Sequence, residues 1–244
     1  MSLKYTPLLQ LQRDLYKIPR GYERFKQYIA EMVDPETKDM KIPLPAMNPM
    51  GKDHIPALLD RYLAFDADEV ADEAVTRAAS GLGSTLAGFQ AALVIADDSM
   101  GMWTNRYSVE FGNRFSTKPF FRRSWLVGLL WTSEEPSIEN VREEILTAVY
   151  RGAHIQQHGF AQTLGDMLAQ EGCAMAAAGC KSPELEPDEL AYTEAVLEPY
   201  LGSEHYGEWI TAVFGDPAAH ELGYEPMGLS PRAGLALALH NAKQ

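Results

Sequence analysis

Two short, wholly apolar runs constrain the fold of this chain more than any other feature. The run 90–96 reads QAALVIA and is stopped by Asp97 and Asp98; the run 124–131 reads SWLVGLLW and is stopped by Thr132, Ser133, Glu134 and Glu135. Apolar runs of this length, ended by polar residues, are the pattern of strands buried on both faces, because helices packed on each side leave no wet face to alternate toward. Residues 104–115 between the runs and 137–158 after them carry helical periodicity. Strand, helix, strand, helix is the order of a parallel α/β unit.

Helical spacing dominates the rest of the chain. It predicts helices over 7–17, 21–32, 54–65 and 67–79 before the first run, with Phe25, Tyr28, Ile29 and Met32 recurring at three and four residues in the second of them. After Gly159 it predicts helix through 178, then over 187–200 and 204–214. A last helix is expected to start from Ser230 as N-cap with Pro231 in its first turn, and to run to His240. The expected fold is a helix-rich α/β protein, with a small, mainly parallel sheet in the middle of the chain flanked by N- and C-terminal helices. It is read as a single domain over 1–244, with a mainly helical part at 1–80, an α/β part at 81–158 and a mainly helical part at 159–244. Two strands do not make a stable sheet, so further strands are expected in 39–44 or 118–121. The segment 33–53 contains four prolines, which exclude a regular helix or central strand, and loops of that length are often functional.

Charge and composition narrow the class. With 34 acidic against 21 basic side chains the formal charge is −13, which repels a phosphate backbone, and the densest basic cluster is only Lys118, Arg122 and Arg123. Nucleic acid is therefore not an expected partner. No run of about 18 apolar residues is present to span a bilayer, and the first residues lack the apolar core of a secretory signal. Cys173 and Cys180 lie seven residues apart in a helical stretch, about 10 Å of rise, too far for a disulfide. That usage predicts a reducing, cytoplasmic setting.

Residues just beyond the carboxyl ends of parallel strands line the crevice where α/β proteins bind ligands. Asp97 is the leading candidate, since a carboxylate directly after a buried run is costly unless something compensates it. It could act as a general base or, with Asp98, as an oxygen ligand of a divalent cation. The segment that follows supplies Trp103 as an aromatic wall and Asn105 and Arg106 near a helix start, while Met47, Met50, Met100 and Met102 could form an adaptable apolar lining. Asp98, Ser99 and Thr104 are also ordinary turn and cap residues, and Glu134 and Glu135 suit the first turn of a helix.

A second cluster precedes the helix at 54. The stretch AMNPMGKDH, 46–54, is a near miss for a phosphate loop: the first glycine is Ala46, the closing hydroxyl is Asp53, and Pro49 removes an amide that would cradle phosphate. What remains is Asn48, Lys52 and His54 at a helix start, where free amides and the lysine suit an anionic group, against the plainer reading that Asp53 caps the helix.

The third candidate is the pair His154 and His158, four residues apart on one helix and so correctly spaced to clasp one ion. A metalloprotease would require glutamate directly after the first histidine, and that position is Ile155. The alternative is a solvated helix face near a C-terminus, where partial positive charge is favourable.

Two functions are consistent with these residues. One is an enzyme acting on a small, anionic, polar metabolite, with Asp97 and His54 catalytic, Asn48, Lys52, Asn105 and Arg106 binding substrate, and a divalent metal at His154 and His158 as the one cofactor suggested. The other is a non-catalytic helical module that binds or scaffolds proteins through aromatic anchors such as Tyr5, Tyr16, Tyr22, Trp209 and Tyr224. A membrane is not an expected partner, and a homo-oligomer is compatible with either reading.

Overall fold

The computed structural model describes residues 2–99 and 104–244. It is a helix-rich α/β protein built on a three-stranded parallel sheet of order β1-β2-β3, comprising Lys4–Tyr5, Gln90–Ala96 and Trp125–Trp131. The two long strands pair over their whole length, from Gln90 opposite Trp125 to Ala96 opposite Trp131, and both are buried on both faces apart from the first residue of β2.

The third strand is not where the sequence placed it. Residues 39–44 form only an isolated antiparallel bridge, Val33 to Met40, and Lys118–Phe121 is a short helix, α6, with proline in its first turn. Lys4–Tyr5 fills the place, pairing with Gln90 and Ala91 and no further. Beyond Ala91 the exposed edge of β2 is mended by a side chain. Gln12, fully buried on α1 (Leu9–Leu15), donates to the carbonyl of Leu93 at 3.1 Å and accepts from the amide of Ile95 at 2.9 Å. One amide side chain thus satisfies the donor and the acceptor that a longer β1 would have paired.

Between β1 and β2 run α1, α2 (Tyr22–Met32), α3 (His54–Leu63) and α4 (Ala67–Leu82). Between β2 and β3 lie α5 (Arg106–Phe115) and α6, and after β3 comes the long α7 (Ile138–His158), started by Ser137, whose side chain accepts from the amide of Asn140. The helix α7 crosses β3 closely at Gly128, where a Cβ would meet the backbone oxygen of Glu144 at 2.9 Å, so glycine is required there for contact rather than for a turn.

The remaining chain is helical: α8 (Leu164–Ala178), opened by a capping box between Thr163 and Asp166, then α9 (Pro187–Leu197), α10 (Tyr206–Phe214), α11 (Asp216–Leu222) and α12 (Ala233–Ala242). The last helix starts later than expected. Ser230 hydrogen-bonds Glu189 instead of capping, and Arg232 holds the N-cap position with φ of 60°. Cys173 is exposed, Cys180 is buried beyond the end of α8, and both are free thiols.

The buried apolar side chains form two clusters. One is centred on the sheet and packed by α1, α3, α4 and α7; the other is made by α8, α10 and α12 with Phe111 of α5. Charge, unusually, lies at the junction between them. Arg114 of α5 and Arg151 of α7 both bond Glu171 of α8, while Arg114 and Arg232 both bond Glu110 of α5. Four of these five groups are buried, Arg232 partly. Opposite charges satisfy one another there, as burial of charged groups requires.

Candidate functional site

The carboxyl ends of β2 and β3 bring together residues far apart in the chain. Asp97, buried at 2% exposure, receives hydrogen bonds from three segments: Asn48 Nδ2 to Oδ2 at 2.9 Å, His54 Nε2 to Oδ1 at 2.8 Å, and the Thr132 hydroxyl to Oδ1 at 3.1 Å. The Thr132 hydroxyl carries one proton and lies equally close to Asp98 Oδ1 and Ser99 Oγ, so it chooses among them, while it accepts from the amides of Asp98 and Ser99. Thr104, expected as a cap, donates instead to the backbone oxygen of Asp97, and Asn105 is the N-cap of α5, accepting from the amide of Ser108 at 2.9 Å.

Burial pushes the Asp97 carboxyl up, but the hydrogen bonds from His54 and Asn48, the charge of His54 and the Thr132 hydroxyl outweigh it, holding the group below the ordinary carboxylate range. Asp97 is therefore ionised near neutrality. An ionised carboxylate on Nε2 requires a proton on that nitrogen, so the other ring nitrogen, Nδ1, is the one left to meet a ligand. That nitrogen is buried and has no hydrogen-bond partner among the described residues.

The N-terminal helices hold His54 in this position. The Tyr16 hydroxyl donates to the carbonyl of Asn48 at 2.5 Å, and Arg24, stacked on the Tyr16 ring at 5.2 Å, donates to the carbonyls of Ile18 at 2.7 Å and Gly51 at 3.2 Å. Burial, and then the charge of Asp97, push the Tyr16 phenol above its ordinary value. Asp53 occupies the N-cap position of α3 without making a side-chain cap, so the capping role expected of it is not realised. Lys52 is exposed and makes no ion pair to the described residues.

Arg106 sits on the other side of the same edge. It donates to Asp98 Oδ2 at 3.0 Å, to Ser133 Oγ at 2.9 Å and to Glu134, it lies 3.8 Å from Glu110, and its guanidinium stacks on Trp131 at 4.9 Å. Asn105 is tied to Glu221. Of the four residues expected to bind substrate, Asn48, Asn105 and Arg106 therefore already have protein partners. Glu134 and Glu135 belong to the loop before α7 rather than its first turn, and Glu135 pairs with Arg61. Trp103, Met100 and Met102 lie outside the described residues. Met47 is fully buried and Met50 is half-buried.

His154 and His158 lie far from this edge, at the end of α7, with ring centroids 4.5 Å apart. Burial, and then the charge of His158, lower the proton affinity of His154. Among the described residues no group of three His, Cys, Asp or Glu is placed to hold a metal ion.

One feature of the edge has no counterpart in the sequence-based expectations. A polar cavity of about 360 Å³ adjoins it, lined by Arg106, Trp131 and Glu134 of the edge together with Glu144, Arg114 and Arg232. Of the residues singled out as a site from sequence, Arg106 alone lines it. A larger, mainly apolar groove of about 710 Å³ runs between α8, α9 and α12.

These features define a helix-rich α/β protein with a carboxylate-held histidine at the carboxyl edge of its parallel sheet. A Bacillus subtilis protein described as the uncharacterized protein YjfC is 30% identical to this chain over 99 residues, covering 37% of this chain and 33% of that protein. The chain thus spans about a third of the length of that relative. No protein-family model matches the chain, and no solved structure matches it significantly. No helix among the described residues is long and apolar enough to cross a membrane.

Proposed function

We propose that this protein is an enzyme that moves a proton on a small polar metabolite, with His54 as the group that exchanges the proton and Asp97 as the residue that orients it. The observation that carries this reading is the His54 ring, bonded through Nε2 to a buried carboxylate and without a partner at Nδ1 among the described residues. A buried polar atom without a partner costs free energy, and such atoms are commonly kept where a bound group completes them. The Asp97 carboxylate supports the reading twice, by fixing the tautomer and by stabilising the imidazolium that forms when Nδ1 takes a proton. Asn48 and Thr132 hold the carboxylate, and Lys52, exposed two residues before His54, offers the charge for an anionic group of the substrate.

The test is a melting-temperature screen of small polar metabolites, with each stabilising compound followed by proton NMR for turnover. His54→Gln and Asp97→Asn should bind such a compound but turn it over roughly 10²–10⁴-fold more slowly. A compound turned over equally fast by His54→Gln refutes the reading.

A second reading, a module that binds a protein partner, is favoured by α2. Tyr22 at 74% exposure, Phe25 and Ile29 recur at three and four residues and so share one uncovered face. Of the other aromatic anchors expected from sequence, Tyr5 and Tyr16 are core residues, and Trp209 and Tyr224 are half-buried.

A further inference from the structure

The polar cavity beside the sheet edge combines three guanidinium groups with an excess of carboxylates. Arg106, Arg114 and Arg232 line it together with Glu110, Glu134, Glu143 and Glu144. Each arginine is already matched: Arg106 to Asp98 and Glu134, Arg114 to Glu110 and Glu171, and Arg232 to Glu110 through two bonds of 3.1 and 2.5 Å. An anion entering the cavity would have to displace protein carboxylates from those donors. The acceptors that remain are different. The Glu144 carboxyl makes no hydrogen bond and no ion pair to the described residues, although it is set deep enough that burial raises it to about 7. Glu143, one residue before it, is also raised by burial and by Glu139, but it already has a hydrogen bond from the backbone of Lys181. The Asn140 side chain, also in the lining, donates its amide to the carbonyl of Glu135.

A polar space whose arginine donors are matched, and whose Glu144 carboxyl is not, is complementary to a ligand that donates hydrogen bonds and carries positive charge. We propose that this cavity is a binding site for a small primary amine, whose ammonium group sits on the Glu144 carboxylate. The volume, about 360 Å³, suits a molecule of a few carbons rather than a nucleotide or a peptide. The charged groups facing Glu144 are Arg114 and Glu110 from α5, Glu134 from the loop after β3, and Arg151 from α7 itself. Two carboxylates among them, against two arginines that already serve Glu110 and Glu171, leave Glu144 without a counter-ion of its own among the described residues.

Binding is a balanced proton exchange. Where Glu144 is protonated, R–NH3+ replaces its proton, forming the carboxylate–ammonium pair and releasing one H+ to solvent. The site is distinct from the one read at His54, because the cavity lining includes neither His54 nor Asp97.

The experiment is calorimetric titration of the full chain with 1,4-diaminobutane, with 1,4-butanediol and succinate as neutral and anionic controls of the same length. Saturable binding is expected for the diamine and not for the controls. Repeating the titration in two buffers of different ionisation enthalpy should show proton release, larger near pH 6 than near pH 8. Glu144→Gln should bind the diamine roughly tenfold or more weakly, as loss of one charge-assisted hydrogen bond implies, whereas His54→Gln should bind it as the wild type does. Failure of the diamine to saturate the wild-type protein, binding without proton release, equal affinity in Glu144→Gln, or preference for succinate each overturns the proposal. Loss of diamine binding in His54→Gln would overturn its independence from the sheet-edge site.

Discussion

Glu171 offers the sharpest test of how the two apolar clusters are joined. It is fully buried on α8 and accepts from Arg151 at 2.6 and 2.9 Å, from Arg114, and from the side-chain amide of Gln170 at 3.1 Å. Burial opposes its ionisation, but the charges of Arg151 and Arg114 and the hydrogen bonds outweigh that and bring it from 4.5 down to about 2. Glu171→Gln keeps the shape, removes the charge, and turns an amide NH2 toward guanidinium donors. Arg151 then loses the carboxylate with which it is ion-paired. A shift of that size corresponds to about 3 kcal/mol, which agrees with the roughly 3–5 kcal/mol lost when one member of a buried pair is removed. The sign of the pH dependence follows from the lowered value. The stabilisation is complete above the unfolded value near 4.5 and is lost as pH falls toward about 2. Urea unfolding followed by circular dichroism should therefore show the variant about 3 kcal/mol less stable at neutral pH, with the gap closing between these two limits. A gap below about 1 kcal/mol at neutral pH, or one that does not change on acidification, would refute the account of the junction.

Three further perturbations test other parts of the structure. Asp97→Ala leaves the donors of Asn48 and His54 facing an empty space and should cost about 1–3 kcal/mol in urea unfolding. That exceeds the surface-like 0.5 kcal/mol or so that a strand-end loop residue would predict from sequence alone; an unchanged midpoint would mean that those groups find water. Gln12→Leu orphans the carbonyl of Leu93 and the amide of Ile95, so faster hydrogen exchange at Ile95 and a loss of about 2 kcal/mol are expected, and retained protection at Ile95 would contradict the edge-mending role. Glu144, raised to about 7, binds its proton more tightly when folded, so it erodes wild-type stability as pH rises from about 4.5 through 7. Glu144→Gln should then melt above the wild type near pH 8 and close to it near pH 5, and a difference independent of pH would place the carboxyl in solvent.

The class of fold, the two long strands and most helices were readable from sequence because their signals are local. A run such as QAALVIA excludes a wet face, and spacings of three and four residues define helices wherever they recur. Asp97 was readable for the same reason, as a carboxylate placed directly after a run that must be buried, and His54 and Asn48 were named as candidates from a neighbouring loop. Their meeting was decided by tertiary structure alone, since Asn48 and His54 lie 49 and 43 residues from Asp97. The first strand was missed because two residues carry no periodicity; its partner is a strand 86 residues away, Lys4 opposite Gln90.

The charged junction and the cavity beside it were out of reach of local reasoning. Arg114, Glu171, Arg151 and Glu144 occupy helix positions where charged side chains usually face water, and nothing in their neighbours distinguishes them from the acidic surface of the rest of the chain. The sequence by itself determined which segments are strand or helix and which carboxylate is expensive to bury, because those properties follow from short-range periodicity and from the cost of desolvating charge. Only the tertiary structure decided which arginine each buried glutamate meets, because Coulomb pairing in a low-dielectric interior depends on distances through space that sequence separation does not encode.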